Sequence, residues 1–190
     1  MKEINWSEIP FGYMKTDYNV RCYYRDGAWG ELEVSSSENI DIHMASTCLH
    51  YGQEAFEGLK AFMGKDGRIR VFRMDENAKR LQASSRAIMM AELPVEKFEE
   101  AVRRVVLLNK RFVPPYGSGS SLYIRPLLIG TGAQVGVKPA TEYLFVIFVT
   151  PVGPYFKTGF RPSKVCIMRG YDRAAPLGTG MVKVGGNYAA

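Results

Sequence analysis

Lys183 lies in the run Gly178-Thr179-Gly180-Met181-Val182-Lys183-Val184-Gly185-Gly186-Asn187-Tyr188. A lysine amine can attack a carbonyl, provided it is neutral when it does so. The apolar neighbours Met181 and Val182 are expected to desolvate it. The paired glycines would let a planar cofactor or a phosphate come close to the backbone. The plainer alternative is a surface lysine beside a glycine turn. Arg125 is the next candidate. It follows an apolar strand-like run and precedes Pro126, so its planar fork belongs in or beside the core, where it suits a carboxylate or phosphate, or else a structural ion pair. Arg80 reads as a residue on the first turns of a helix, solvated unless a ligand claims it. Tyr51, Phe56 and Tyr123 are pocket walls or plain core. His43 and His50 have no Cys, Asp or Glu partners at metal-ligand spacing, so no metal is expected, and His50 reads as a helix-entry residue.

The elements that must position these groups follow from pattern. Val20 to Tyr24 and Glu31 to Ser35 are strand-like about an Arg25-Asp26-Gly27 turn, and Leu59 to Met63 and Arg68 to Arg73 repeat the plan about Asp66-Gly67. Asp75 is expected to cap a helix from Glu76 to Ala91 with Ala78, Leu81, Ser85, Ile88 and Met89 on one face. Pro94 opens a second helix, with Phe98, Val102, Val105, Val106 and Phe112 at helical spacing. Ser121 to Ile129 is a strand with Tyr123 and Arg125 on one face, and Tyr143 to Val149 is a strand buried on both faces. These elements make an α+β fold, an antiparallel sheet with helices, over residues 1–150. The proline- and glycine-rich stretch 151–159 reads as an interdomain connector. Residues 160–190 hold one further strand, Lys164 to Arg169, and a terminal helix opening, and read as the start of an incomplete second domain.

Composition narrows the function. At 190 residues, 46% hydrophobic and 23% charged, the chain is ordinary globular protein, neither disordered nor collagen-like. No run reaches the ~18 apolar residues of a membrane span, and the opening Met1-Lys2-Glu3-Ile4-Asn5-Trp6 does not read as a signal peptide. Lys and Arg number 25 against 19 Asp and Glu, a net charge of +6, but the cations are scattered. Nucleic-acid binding would cluster them, so small anions are the expected ligands. Cys22, Cys48 and Cys166 read as reduced thiols in a cytoplasmic protein.

Four blocks together resemble the branched-chain amino-acid aminotransferases: Leu49-His50-Tyr51-Gly52-Gln53-Glu54-Ala55-Phe56-Glu57-Gly58-Leu59-Lys60-Ala61-Phe62, Leu122-Tyr123-Ile124-Arg125-Pro126, Pro151-Val152-Gly153-Pro154-Tyr155-Phe156 and Lys183-Val184-Gly185-Gly186-Asn187-Tyr188. The opening Phe11-Gly12-Tyr13-Met14-Lys15-Thr16-Asp17 adds to the resemblance. It implies a fold-type IV pyridoxal 5'-phosphate enzyme: a small α/β domain, an interdomain loop, a larger domain and a homodimer. It implies that Lys183 holds the cofactor covalently and shuttles a proton, that Arg80 meets the cofactor phosphate, and that Tyr188 meets its phenolic oxygen. By the same resemblance, Tyr123 and Arg125 orient substrate carboxylates. Phe11, Tyr51, Phe56 and Val137 line the side-chain pocket, some reaching across the dimer, and Tyr155 lies in its covering loop. The implied reaction carries the amino group of leucine, isoleucine or valine to 2-oxoglutarate, with the 2-oxo acids and glutamate as partners. In that family the acid that holds the ring nitrogen lies beyond the lysine. The chain is therefore expected to be a fragment that does not retain the cofactor and has little or no activity by itself. D-amino-acid aminotransferase, aminodeoxychorismate lyase and a non-catalytic dimerising module are the competing expectations.

Overall fold

A computed structural model describes residues 4–156 and 161–189. Its framework is an eight-stranded antiparallel sheet. The strands are β1 (Asn19–Arg25), β2 (Ala28–Trp29), β3 (Glu33–Ser35), β4 (Glu54–Phe56), β5 (Leu59–Met63), β6 (Ile69–Val71), β7 (Ser121–Gly130) and β8 (Tyr143–Val152). They run in the order β2-β1-β8-β7-β5-β6, with β3 also on β1 and β4 also on β7. Helices α2 (Met74–Ala87) and α3 (Val95–Leu108) cover one face, and short helices α1 (Thr47–Tyr51) and α4 (Gly186–Ala189) lie at its margins.

The helical spacing read from α3 is realised: Phe98, Val102, Val105 and Val106 are buried, and Phe98 meets Phe145 of β8 at 6.1 Å between ring centroids. Phe112 belongs to a separate 3-10 turn after the helix but reaches the same core. Asn109, fully buried, accepts from the Asp17 and Tyr18 N–H groups through Oδ1 and donates to the Tyr18 and Val105 carbonyls through Nδ2, so this polar group has no unmet demand.

β7 is long because two shorter strands share its other edge. β5 pairs with Leu122–Ile124 and β4 with Leu127–Ile129. Between them the neighbouring backbone breaks at Glu57-Gly58, opposite Pro126, whose carbonyl accepts the Glu57 N–H at 2.9 Å. A residue's N–H and C=O point to the same side of a strand, so the donor that Pro126 lacks would have faced this break. Proline therefore costs the ladder little here. Alternation along β7 places Leu122, Ile124 and Leu128 in the core and leaves Tyr123 and Arg125 half-buried on the other face, as expected.

Four expectations are corrected. The first helix starts at Met74 because Arg73 takes the left-handed conformation (φ 46°), which leaves Asp75 inside the first turn instead of capping it. It also stops at Ala87. Met89 has φ 58° and is exposed, while Met90 turns back to bond the Ser85 carbonyl at 2.8 Å. Lys164 to Arg169 forms no strand. Its alternate apolar residues Val165 and Ile167 are 88% and 83% exposed, having found no ladder partner among the described residues. The strand read as Tyr143 to Val149 runs on to Val152, taking in residues 151 and 152 of the expected connector, with Thr150 and Val152 buried. The connector's residues 157–159 lie outside the described residues.

Candidate active site

The lysine segment is anchored before it is functional. Val184 is buried in the main core and bridges Ala55 of β4. Just before it, the Lys183 carbonyl accepts the Phe56 N–H at 3.2 Å, and the Lys183 N–H bonds Ser84 Oγ of α2 at 3.0 Å. Asn187, also buried, donates to the carbonyls of Thr179 (2.6 Å) and Val182 (2.9 Å) and accepts from Thr179 Oγ1 (2.7 Å). Of the paired glycines, Gly185 is tightly packed and Gly186 has open space around it. A Cβ on Gly185 would fall 1.6 Å from Glu54 Oε1.

This anchoring presents the Lys183 amine to aromatic surface. Nζ donates to Tyr188 Oη at 2.9 Å and lies 4.2 Å from the Phe56 ring centroid. The Phe56 and Tyr188 rings meet edge-to-face at 5.1 Å. Met181, expected to desolvate the amine, is 90% exposed; the 3-10 turn Thr179–Met181 carries it outward, and the two rings take its place. The hydrogen bond from Lys183 lowers the Tyr188 phenol below its usual range, with the Arg173 and Arg80 cations adding to the effect. Arg173 stacks over the Tyr188 ring at 5.3 Å.

Arg125 reaches the same place from β7. Its guanidinium lies 4.8 Å from the Phe56 centroid and donates to Tyr123 Oη from Nε (3.2 Å) and Nη2 (3.0 Å). Among the described residues no carboxylate lies within ion-pair distance of it, so the ion-pair alternative is not realised. Gly58 makes room for this pair, since a Cβ there would sit 2.5 Å from Tyr123 Oη. Phe11 closes the wall, 5.9 Å from Tyr123 and 5.4 Å from Tyr155. Phe11, Phe56, Tyr123, Arg125, Lys183, Tyr188 and Tyr155 thus form a connected chain of contacts. Tyr51 and Val137 make none of these contacts; with Gln53 and Met89 they line a neighbouring groove that Val184 and Gly186 of the lysine segment also border, and there Tyr51 Oη donates to the Val135 carbonyl.

Arg80 is solvent-exposed, as its helix position suggested, but it is also held in an ion pair. Nε and Nη2 grip Glu57 at 2.6 and 2.7 Å. Glu57, Ser84, Arg173 and Asn187 were missed by sequence reasoning. The one available signal was an acid, Glu57, between two strand-like apolar runs. His50 lies in the last turn of α1, not at its entry, with Nε2 2.8 Å from the Met44 carbonyl. No metal-binding group of His, Cys, Asp and Glu occurs among the described residues.

This antiparallel α+β architecture, with a lysine loop pinned to its sheet, is shared with solved branched-chain amino acid aminotransferases. The branched-chain-amino-acid aminotransferase of Escherichia coli superposes with a TM-score of 0.64 at 26% identity, over 92% of this chain and 53% of that one. A second branched-chain amino acid aminotransferase, that of T.th. solved with pyridoxamine 5'-phosphate, gives 0.59 at 25% identity, over 93% of this chain and 54% of that one. No family model matches. In sequence, the chain is related along its whole length to the branched-chain-amino-acid aminotransferases. It is 50% identical over 190 residues to that of Haemophilus influenzae, covering 55% of it. It is also 50% identical over 192 residues to the chloroplastic enzyme 5 of Arabidopsis thaliana, covering 46% of it. The chain spans about half the length of the curated relatives it matches. Among the described residues no helix is long and apolar enough to cross a membrane.

Proposed function

We propose that this chain supplies the lysine side of a pyridoxal 5'-phosphate site with which the natural protein transfers the amino group of leucine, isoleucine or valine to 2-oxoglutarate. The observation that carries the reading is the Lys183 amine, 2.9 Å from Tyr188 Oη and pressed on Phe56. The donor set fits the cofactor: an amine for its aldehyde, a phenol for its ring oxygen, and a guanidinium whose free N–H groups suit its phosphate. When bound, pyridoxal phosphate supplies an electron sink for the substrate's α-carbon.

The residues of the chain then have distinct tasks. Lys183 Nζ takes and returns a proton, and Tyr188 Oη orients that amine by accepting its hydrogen bond. Phe56 excludes water from one side of Nζ. Arg80 holds a phosphate through N–H groups that Glu57 leaves free. Phe11, Phe56 and Tyr155 offer apolar surface for a branched side chain. Arg125 offers a bidentate fork for the distal carboxylate of 2-oxoglutarate or glutamate, with Tyr123 setting its tilt. Tyr51 and Val137, outside the chain of contacts around the Lys183 amine, fit the pocket of a second copy, which makes a homodimer the expected assembly.

Borohydride reduction in the presence of pyridoxal 5'-phosphate, followed by peptide mapping, tests the reading. A pyridoxyl group on Lys183 is expected, together with leucine–2-oxoglutarate transamination by the natural gene product. Labelling confined to other lysines would overturn it.

A further inference from the structure

Glu57 is among the largest side chains with no solvent exposure, and it is an acid. It sits at the break between β4 and β5, where the sheet's edge opens toward α2. Oε1 accepts from Arg80 Nε at 2.6 Å. Oε2 accepts from Arg80 Nη2 (2.7 Å), Asn77 Nδ2 (2.7 Å) and the Gly58 N–H (3.3 Å). Arg80 is not similarly enclosed: its side chain is 55% exposed. The pair is therefore asymmetric, a buried anchor holding a cation whose outer surface is free.

From this asymmetry we infer that Glu57 is the positioning residue for Arg80, fixing its guanidinium as an anion receptor one helical turn before Ser84, which bonds the Lys183 N–H. The inference rests on the reading above, in which Arg80 meets the cofactor phosphate. An arginine guanidinium has five N–H protons. Glu57 takes one on Nε and one on Nη2, which leaves both protons of Nη1 and the second of Nη2 for a ligand. A free arginine samples many rotamers, and a phosphate must order it on binding. A fork already held side-on has lost that freedom before the ligand arrives. Two further cations lie close by, Lys183 Nζ and the Arg173 guanidinium, at 4.6 and 5.3 Å from the Tyr188 ring centroid.

The plainer role is a staple between α2 and the sheet, and phosphate selectivity separates the two. The chain and its variants are exposed to equal concentrations of pyridoxal 5'-phosphate or of pyridoxal, which carries the same aldehyde without the phosphate. Reduction with borohydride and mass analysis then give the labelled fraction at Lys183. The wild-type chain is expected to favour the phosphorylated probe, and Arg80→Ala to abolish that preference. Glu57→Gln keeps the shape but removes the charge and half the acceptors. It is expected to cut the preference by about 10-fold, in the range seen when outer-shell partners of a binding group are lost, with pyridoxal labelling unchanged. Asn77→Ala, which strips one donor from Glu57 at a half-buried site, is expected to cut it a few-fold. Should Glu57→Gln not fold, Asn77→Ala alone decides the matter.

If the wild type shows no preference and Arg80→Ala changes nothing, the phosphate role of Arg80 falls, and this inference with it. If Arg80→Ala abolishes the preference but Glu57→Gln and Asn77→Ala keep it, the positioning role alone is overturned. An equal loss with both probes would also overturn it, because that is what a staple predicts.

Discussion

The N-terminal segment that carries Phe11 is seated against β8 at a point where no side chain fits, and Gly153→Ala tests what that seat contributes. A Cβ there would lie 2.0 Å from the Ile9 carbonyl oxygen and 3.1 Å from its carbon. The obstacle is backbone, so the segment must move by about 1 Å to restore ordinary contact. Such a move strains the bond from the Gly153 N–H to the Pro10 carbonyl, already 3.4 Å long, and the two bonds joining Thr150 Oγ1 to Met14 (2.8 and 3.1 Å). Three bonds each losing part of their ~1 kcal/mol, in a site where overpacking costs ~1–3 kcal/mol, give a destabilisation of about 2 kcal/mol. For a chain of this size that corresponds to a Tm lower by about 4–8 °C. Gly12→Ala is the control. It lies in the same segment beside Phe11 but meets nothing within 4 Å, so a change below ~0.5 kcal/mol is expected. Thermal unfolding gives the stability, and amide exchange at Met14, whose N–H bonds Thr150, reports the segment directly. Phe11 should also lose its contacts with Tyr123 and Tyr155, visible as altered ring resonances. Equal effects of the two substitutions, or an unchanged Met14 amide in Gly153→Ala, would refute the reasoning.

Tyr188 should ionise below the usual range for a phenol, and Lys183→Met should move it back up; a pH titration of the Tyr188 ring carbon, assigned with Tyr188→Phe, checks this. Phe98→Ala, at a fully buried site against Phe145, should cost about 3–5 kcal/mol in denaturant unfolding. Asp17 is held below its ordinary carboxyl range by the hydrogen bond from Arg111, so its pairing contributes above that range and is lost as the pH falls through the lowered value. Asp17→Asn should therefore be slightly less stable than wild type near neutrality, a small effect because the pair is open to solvent, and the two stability curves should converge in acid.

Much of the framework was legible because its signals are local. The Phe98-Val102-Val105 spacing, the Asp66-Gly67 turn and the alternation of Tyr123 with Arg125 each depend on neighbours within a few residues. Helix ends were less so. Arg73 and Met89 adopt left-handed backbone, which nothing in their side chains announces. The Lys164 to Arg169 run has strand composition, but a strand needs an edge to join, and composition does not supply one. At the site, Lys183, Tyr188, Phe56 and Arg125 were recognised as chemistry-bearing, and the fold brings them into contact. Glu57 escaped notice because a buried acid makes sense only once Arg80, Asn77 and the gap opposite Pro126 are in place. Tyr51 and Val137 look no different in sequence from Phe56, yet the loop after β7 carries Val137 to another groove.

The seam where Val184 meets Ala55 has a kinetic consequence. The contact closes a loop that contains β5 to β8 and both long helices, so it cannot form until that sheet has been threaded and zipped. In a refolding experiment the aromatic nest around the amine should be the last part of the molecule to gain protection, well after the two long helices.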